Sequence, residues 1–378
     1  MREADVLVVG AGPAGAAAAL RLAGRCSVAM LGRARETGRL IGESLPAAAA
    51  LPLRDLGVWQ RFVAQGHRPA WSNTSVWGGD EPVRRDALFD PHGHGWHLDR
   101  AAFDALMRDA AVDRGAEWLA NTVLHGARHE AGESHPWHCE LRAADGTVQR
   151  LRCRLLLDAS GRAARVVRLA DVAVRKPDRL VCLHAWLPAV SEAPVYPGTT
   201  LIEACADGWW YSADLPDGGS VLAFHTDADS PLVRVCKTVE QLAALAHERT
   251  ELVRARCRNA QATAQPVSIA PANSQWAEQA AGAGWLAVGD AALAFDPLAS
   301  QGLLNGLCTG LQGADHALAH LDGDTRALPA WSGYLQGVRQ AYERNLAAYY
   351  AMERRWADEP FWLRRVEASQ RGRAFTTQ

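Results

Sequence analysis

A short glycine-rich stretch near the start of the chain is the first feature that could do chemistry. The stretch GAGPAG occupies residues 10–15, follows the apolar run DVLVV at 5–9, and leads into alanine-rich sequence with helical periodicity. In a strand, turn and helix unit of this kind, Gly10 allows a tight turn, Gly12 lets the backbone approach a phosphate, and Gly15 lets helix and strand pack closely. The stretch therefore predicts a site for the pyrophosphate of a dinucleotide at a helix N-terminus.

Two later segments place a carboxylate at the end of an apolar strand. Asp290 follows Gly289 in the segment GWLAVGDAALAFDPLASQGLLNGL at 284–307, and Asp158 follows the apolar run in LLLDASGR at 155–162. A carboxylate at such a place can accept hydrogen bonds from sugar or ribitol hydroxyls. Asp290 is the stronger candidate, because the glycines of the loop after it let backbone amides face a flat ring system.

The residue that would bind an adenosine ribose is missing from its usual place. The second strand, CSVAML at 26–31, should end in an acidic residue roughly 20 residues after the glycines. Gly32 and Arg33 stand there instead. We expect Arg33 or Glu36 to take over this contact, while other parts of the site hold the rest of the nucleotide.

Taken together, GAGPAG, DASG and VGDAALAFDPLASQG resemble the motifs of the FAD-dependent monooxygenases built like para-hydroxybenzoate hydroxylase. They occur in that family's order and spacing over almost the whole chain. The resemblance implies an α/β protein with a Rossmann-like FAD-binding domain of the glutathione-reductase type, an interleaved β-sheet substrate domain and C-terminal helices. It also implies that FAD is bound by Gly10, Gly12, Pro13, Ala14, Gly15, Arg33, Glu43, Ser44, Arg100, Asp158, Gly161, Gly289, Asp290, Pro297, Gly302 and Leu303.

Two further segments are similar to those of flavin-dependent halogenases and their relatives. IGESLP at 41–46 looks like the GES segment that lies beside the flavin in those proteins, and DR at 99–100 looks like the start of a helix in their FAD domain. Apolar residues at helical spacing, such as Phe103 and Met107, support that helix. Arg100 could contact the cofactor or pair with a nearby acid, and Glu43 could also be structural.

Three consecutive aromatic residues, Trp209, Trp210 and Tyr211, precede the turn sequence LPDGG. The β-rich runs on both sides of this turn predict a hairpin. The segment at 208–227 looks like one in the LodB-like flavoproteins, which take part in making quinone cofactors from tryptophan side chains of partner enzymes. We expect Trp210 and Tyr211 to line the substrate pocket and His225 to serve there as an acid or base, with ordinary core packing as the alternative.

The resemblance leaves two chemistries open. In both, reduced flavin and oxygen form a C4a-hydroperoxide, beside which Pro297, Gln301 and Gly302 would form the catalytic loop. Tryptophan halogenases deliver the halogen through a lysine a few dozen residues after the GES segment, whereas this chain has only Lys176 and Lys237, far downstream. Arginine cannot replace that lysine, because its pKa is much higher.

The expected function is therefore hydroxylation of an electron-rich aromatic ring, including a tryptophan side chain of a partner protein during quinone-cofactor maturation. The alternatives are a halogenase with an unusual delivery residue, a hydroxylase of a free aromatic molecule in natural-product tailoring, and a non-catalytic flavoprotein that chaperones a partner. Molecular oxygen is the expected co-substrate. The electrons are expected to come from NADH or NADPH, either directly or through a separate flavin reductase, and the sequence leaves this choice open because it holds no second dinucleotide motif.

Composition excludes several other classes. The net charge of -2 is spread without blocks of like charge, so no nucleic-acid partner is expected. No segment reaches about 18 uninterrupted apolar residues, so no membrane association is expected. The eight cysteines are scattered singly, which is typical of reduced thiols in a cytoplasmic protein. His92, His94 and His97 cluster in a glycine-rich turn without completing a metal-ligand pattern, so no metal site is expected.

The chain is expected to divide into three parts. The predicted limits are 1–70, 96–172 and 275–322 for the FAD-binding domain, 71–95 and 173–274 for the substrate domain, and 323–378 for a C-terminal helical segment. A helical insertion is expected at 239–257 within the substrate domain. The aromatic residues of the C-terminal segment are expected to pack against the FAD-binding domain, with a partner-docking surface as the alternative.

Overall fold

A computed structural model describes residues 2–34, 39–189, 196–257 and 264–374. The strands are β1 (Arg2–Val9), β2 (Val28–Gly32), β3 (Ser44–Leu45), β4 (Arg68–Ala70), β5 (Ser72–Val76), β6 (Val83–Asp86), β7 (Gly95–His97), β8 (Glu117–Ala120), β9 (Thr122–His129), β10 (Trp137–Ala143), β11 (Val148–Asp158), β12 (Val174–Arg175), β13 (Leu180–Leu187), β14 (Thr199–Cys205), β15 (Gly208–Asp214), β16 (Ser220–Asp227), β17 (Ser268–Pro271), β18 (Gln275–Ala277), β19 (Ala281–Gly282), β20 (Trp285–Ala287) and β21 (Leu293–Ala294). The α-helices are α1 (Pro13–Leu22), α2 (Ala50–Asp55), α3 (Trp59–Ala64), α4 (Arg100–Asp113), α5 (Arg165–Leu169), α6 (Pro231–Val235), α7 (Val239–Arg249), α8 (Leu252–Cys257), α9 (Gly302–Leu321), α10 (Ala327–Met352) and α11 (Pro360–Ala374).

The centre of the first sheet consists of parallel strands. Its parallel strands lie in the order β20, β11, β1, β2 and β8, with β1 between β11 and β2. The apolar residues of β1 from Val6 to Val9 are all buried, as expected for a strand covered on both faces. The register pairs Val9 with both Asp158 and Leu31, so the ends of three strands meet at one edge of the sheet. The α/β class predicted from the sequence is confirmed.

Helices α1 and α9 pack closely against each other at this edge. The closeness depends on small residues, because a Cβ at Gly310 would lie well inside 3.0 Å of the Ala14 carbonyl oxygen. Ala16 to Ala19 of α1 are completely buried. The start of α1 therefore packs against the second and third turns of α9, and the N-terminal ends of both helices line one cavity.

A second sheet of seven strands lies in the order β17, β13, β16, β15, β14, β5 and β6. Strands β15 and β16 form the predicted hairpin, with Asp214 paired to Ser220. One face of the sheet packs against α7 and α8, which form the predicted helical insertion. The opposite face carries Cys182, Tyr211 and His225 and looks toward the helices that begin at the edge of the first sheet.

The C-terminal helices contact both sheets. Trp331 of α10 is buried in the core around the parallel sheet, as expected from the sequence. Farther along, Tyr350, Phe361 and Trp362 pack against the second sheet, and the Trp362 indole N–H donates to the Cys205 carbonyl oxygen at 2.9 Å. The expected packing is seen for Trp331, and the later aromatic residues pack in addition against the second sheet, because α10 extends from one sheet to the other.

Candidate functional site

A cavity of about 350 Å³ lies between the two sheets. Most of the residues singled out from the sequence line it. They are Gly12, Pro13, Ala14, Glu43, Ser44, Arg100, Gly161, Tyr211, His225, Gly289, Asp290, Pro297, Gly302 and Leu303. The chain therefore brings segments that are far apart in sequence to one cavity.

Two helix N-termini open into this cavity. Helix α1 begins at Pro13 after Gly12, and α9 begins at Gly302, and neither has a side chain that caps its first backbone N–H groups. Uncapped N–H groups and the positive end of the helix dipole attract anions and electron-rich oxygens. A dinucleotide pyrophosphate fits the end of α1, because a Cβ at Gly12 would meet no protein atom within 4 Å and the space before the helix stays open.

Gly10 and Gly15 do not line the cavity but shape the turn that does. Gly10 has φ +114°, and a Cβ there would lie well inside 3.0 Å of the Ala159 carbonyl oxygen. A Cβ at Gly15 would collide in the same way with the Gly10 carbonyl oxygen. These two glycines therefore allow close backbone packing, while Gly12 keeps the binding space free.

Asp290 faces the cavity beside a cation that the sequence analysis did not single out. Its side chain keeps 39% exposure toward the cavity, and the Arg162 guanidinium lies 3.8 Å from its carboxylate. The pKa of Asp290 is raised because protein surrounds it, although Arg162 and Arg100 oppose that shift. The carboxylate is thus available to accept hydrogen bonds from hydroxyl groups. Arg162 directly follows Gly161 in the DASGR motif, which was the signal that could have identified it.

Asp158 is fully buried and has a structural place in the turn. Its carboxylate accepts hydrogen bonds from Ser160 N and Oγ at 3.0 and 2.6 Å, and from the backbone N–H groups of Val166 and Val167 at 2.7 and 3.0 Å. Asp158 does not line the cavity, whereas Gly161, with φ +65°, does. The expected contribution of Asp158 to nucleotide binding is therefore indirect, through the shape of this turn.

The expected ribose contact stays a prediction. Arg33 is exposed at the end of β2 and does not line the cavity. Glu36, the other candidate, lies outside the described residues. The neighbouring Ala34 N–H is held by Asn121 Oδ1 at 2.9 Å, which fixes the path of the chain up to that point.

Arg100 holds the GES loop against helix α4. Its guanidinium donates to the carbonyl oxygens of Ile41 and Gly42 at 3.1 and 2.7 Å and pairs with Asp104 at 3.3 Å. Arg100 also lines the cavity, so both roles left open by the sequence are compatible with its position. Glu43 follows in this loop and is only 1% exposed.

The three consecutive aromatic residues divide between the two faces of the second sheet. Trp209 and Tyr211 point to the cavity side, and Trp209 stacks on His225 with ring centroids 3.7 Å apart. Trp210 points to the other side, where it stacks on Phe224 at 4.5 Å in the core with α7 and α8. The expectation that Trp210 lines the pocket is therefore corrected, because successive side chains of a strand point to opposite faces.

The loop between β21 and α9 is anchored by a tyrosine of helix α10. The Tyr350 hydroxyl donates to Asp296 Oδ2 at 2.8 Å and accepts from the Trp209 indole N–H at 3.1 Å. Burial raises the pKa of Asp296 to about 6. Pro297 lines the cavity in this loop, but Gln301 is exposed and does not, so its expected catalytic position is corrected. Gln301 immediately precedes α9, and its side chain does not turn back to cap the helix.

The histidines that cluster in the sequence have different surroundings in the structure. The His94 ring packs at a tilt against Trp71 with ring centroids 4.6 Å apart, whereas His97 is completely buried and its Nε2 lies 2.8 Å from Thr200 Oγ1. Among the described residues, the group with metal-ligand spacing is Glu130, Glu133 and His138, which lies away from the cavity and is paired with surface arginines.

The burial of His97 predicts a measurable pH dependence of stability. Burial, with help from the nearby cations Arg256 and Arg68, lowers the pKa of His97 to about 3. An unfolded histidine takes up a proton near pH 6.5, so this residue withdraws stability as the pH falls from about 6.5 toward 3. In His97→Gln, the loss of unfolding free energy between pH 7 and pH 5 should be about 2 kcal/mol smaller than in the unmodified protein. Chemical denaturation at the two pH values measures this, and an unchanged loss would contradict it.

No helix of the described part of the chain is both long and apolar enough to cross a membrane. The eight cysteines form no disulfide, and six of them are buried. Burial raises the pKa of the cavity-lining Cys182, so its thiol stays protonated at neutral pH. The thiols therefore contribute apolar packing to the fold.

The parallel sheet, the glycine turn and the paired helix N-termini define an FAD-binding fold. A family model described as an FAD binding domain matches residues 3–315, and the chain belongs to this family. The chain is also 30% identical over 373 residues to LodB of Marinomonas mediterranea, which is described as an FAD-dependent oxidoreductase, with 97% of each chain covered. It is therefore an FAD-dependent oxidoreductase of the LodB-like group.

Two solved structures resemble the described fold. The peptidyl tryptophan dihydroxylase QhpG, essential for tryptophylquinone cofactor biogenesis, is 26% identical with a TM-score of 0.75, covering 96% of this chain and 78% of QhpG. The myxobacterial chondrochloren halogenase CndH is 22% identical with a TM-score of 0.86, covering 100% of this chain and 89% of CndH. The resemblance to the halogenase shows the shared fold.

Proposed function

We propose that this protein hydroxylates an electron-rich aromatic ring. Bound FAD, once reduced, supplies the two electrons with which one atom of O₂ enters the ring as a hydroxyl group and the other leaves as water. The electrons come from NADH or NADPH, directly or through a separate flavin reductase. The protein's own contribution is to place the ring, exclude water and hold the loop beside the cofactor.

One observation carries this proposal. Tyr211, Ala223 and His225 of the second sheet line the same cavity as the N-terminus of α9, and the His225 ring stacks on Trp209. Aromatic and small apolar side chains there leave room for a flat ring and offer it faces for stacking. A wall of this kind also keeps water away from a reactive oxygen species.

The finer part of the proposal concerns the substrate. A tryptophan side chain of a partner protein is favoured by similarity to LodB and to QhpG, which is named as a peptidyl tryptophan dihydroxylase. An indole is electron-rich and matches the aromatic wall. Hydroxylation of a free aromatic molecule is the related possibility, and it needs no partner protein.

Halogenation is the second candidate, because the fold that this chain shares with CndH is compatible with that chemistry as well. The positions of the two lysines make delivery of the halogen through a lysine amine unfavourable. Lys176 and Lys237 are exposed, and neither lines the cavity. A halogenase would need another delivery group in the same wall.

Stopped-flow absorbance on the FAD-loaded, anaerobically reduced protein separates these candidates. After mixing with oxygenated buffer, we expect an absorbance transient between the reduced and oxidised flavin spectra whose decay is unchanged by bromide. The same mixing with an indole or a tryptophan peptide should give a hydroxylated product by mass spectrometry. A transient that bromide shortens, with a brominated product, would establish halogenation instead. Peroxide as the sole product with indoles, phenols and peptides would refute the proposal.

A further inference from the structure

We infer that Glu43, Tyr211 and His225 form a polar subsite that selects aromatic substrates bearing an N–H or O–H group, with Glu43 as the hydrogen-bond acceptor. This inference rests on the proposed function and names the substrate class for the same cavity. It assigns Glu43 to the substrate, whereas the sequence pointed to a contact with the cofactor.

The first argument is that three buried polar atoms of the cavity wall have no hydrogen-bond partner in the structure. They are Glu43 Oε1, the Tyr211 hydroxyl and His225 Nδ1. All three side chains line the cavity. Glu43 is 1% exposed and His225 is 3% exposed. A buried polar atom without a partner is costly, so such atoms facing one cavity indicate a ligand that satisfies them.

The second argument is that the three residues reach the cavity from two different parts of the fold. Glu43 comes from the loop held by Arg100, whereas Tyr211 and His225 come from neighbouring strands of the second sheet. On the same face of the sheet, Tyr211 is paired with Ala223, and His225 is paired with Cys182. The small side chains of Ala223 and Cys182 leave space between the two polar residues. A flat ring can therefore lie on this face with its polar edge toward Glu43.

The third argument concerns the protons that these groups carry. Burial raises the pKa of Glu43, and burial together with the Glu43 carboxylate raises the pKa of Tyr211. Glu43 and Tyr211 are near enough for a hydrogen bond between them to shift the pKa of each, although Glu43 Oε1 and the Tyr211 hydroxyl have no partner as they are placed. Burial lowers the pKa of His225 to about 3, so its ring is neutral at pH 7. The Gly42 backbone N–H donates to Glu43 Oε2 at 3.1 Å, so Glu43 Oε1 is the oxygen left for a substrate N–H or O–H group.

This arrangement explains which ligands would be rejected. A site that leaves polar atoms unpaired discriminates strongly against analogues that lack the matching group. An aromatic ring without a hydrogen-bond donor would leave Glu43 Oε1 buried and without a partner. The N–H group of an indole or the O–H group of a phenol would donate to that oxygen.

The test uses the complete FAD-loaded protein in its oxidised state, without turnover. The probes are 3-methylindole and 1,3-dimethylindole, which differ by the N–H group, and binding is followed through the change in flavin absorbance. We expect 3-methylindole to bind more tightly in the unmodified protein. In Glu43→Leu, the ratio of the two dissociation constants should fall at least about five-fold toward one, because the acceptor is lost while the steric effect of the extra methyl group remains. Glu43→Gln, which keeps a carbonyl oxygen, should restore part of the ratio.

The matched control is Glu203→Gln. Glu203 is also a buried carboxylate of the second sheet, but it accepts backbone N–H groups of Glu251, Leu252 and Val253 at 2.7 to 2.9 Å and does not line the cavity. This variant should lose stability and keep the ratio of dissociation constants.

Three outcomes would overturn the inference. The first is an unchanged ratio of the two dissociation constants in Glu43→Leu. If Glu43→Leu does not retain FAD, an unchanged ratio in both single variants Tyr211→Phe and Glu43→Gln has the same meaning. The second is equal binding of both probes to the unmodified protein. The third is the absence of any absorbance change with either probe up to its solubility limit. Because binding is measured without oxygen, these outcomes are separate from failure of the proposed hydroxylation, which is judged by its product.

Discussion

Gly10→Ala is expected to give a protein that is strongly destabilised and retains no FAD. The new Cβ would lie well inside 3.0 Å of the Ala159 carbonyl oxygen, and Gly10 has φ +114°, which alanine rarely adopts. Strain of the backbone and overpacking each cost about 1–3 kcal/mol, so a loss of about 2–6 kcal/mol in unfolding free energy follows. Chemical denaturation of the cofactor-free protein and the ratio of flavin to protein absorbance after purification measure the two effects.

Gly12→Ala is the matched comparison for this prediction. A Cβ at Gly12 meets no protein atom within 4 Å, and the backbone there has φ -73°, which suits alanine. The cofactor-free variant should therefore be as stable as the unmodified protein. It should nevertheless bind FAD more weakly, because the methyl group enters the space before helix α1. Equal FAD affinity in the Gly12 variant would mean that the pyrophosphate does not approach this turn.

Trp210→Ala should cause the second large effect, and this effect should be on stability. Trp210 is completely buried in the core between the second sheet and helices α7 and α8. Removing a buried tryptophan costs about 3–5 kcal/mol. Denaturant unfolding measures this loss, and Trp210→Phe should recover most of it because the stacking on Phe224 is preserved.

The neighbouring Tyr211 gives the opposite expectation. Tyr211→Phe removes a hydroxyl group that has no hydrogen-bond partner, so its stability should change little. Its effect should be on ligand binding in the cavity, which Trp210→Phe should leave unchanged. If Trp210→Phe altered the binding of 3-methylindole as much as Tyr211→Phe does, the assignment of these two residues to opposite faces would be wrong.

The sequence predicted best the part of the site in which the backbone itself shapes the binding space. The roles of Gly10, Gly12 and Gly15 follow from local geometry, which a short stretch of sequence determines. The hairpin at β15 and β16 was predicted for the same reason, because turn residues and β-rich runs act locally. The FAD-binding family and the α/β class then follow from the order of three such motifs.

Side chains whose roles depend on distant partners were harder to predict. Nothing near Asp158 in the sequence shows that Val166 and Val167 use its second carboxylate oxygen. The placement of Asp296 depends on Tyr350, from a helix much later in the chain. Trp210 is different, because it is adjacent to Tyr211 in a predicted strand. Adjacent side chains of a strand point to opposite faces, so the sequence already showed that these two residues could not line the same wall. The predicted limits of the domains stay predictions.

The position of Tyr350 has a consequence for how the protein is made. The glycine turn and the GES loop are synthesised by Ser44, the last residue that lines the cavity is Gly306, and the tyrosine that holds Asp296 in place is made later still. Chains grow at about 5–20 residues per second and fold as their parts emerge. A ribosome-bound chain therefore carries the glycine turn for many seconds before α9 exists to complete the site. FAD loading must then be among the last steps of its maturation, so a shortage of flavin would act on finished chains rather than on their synthesis.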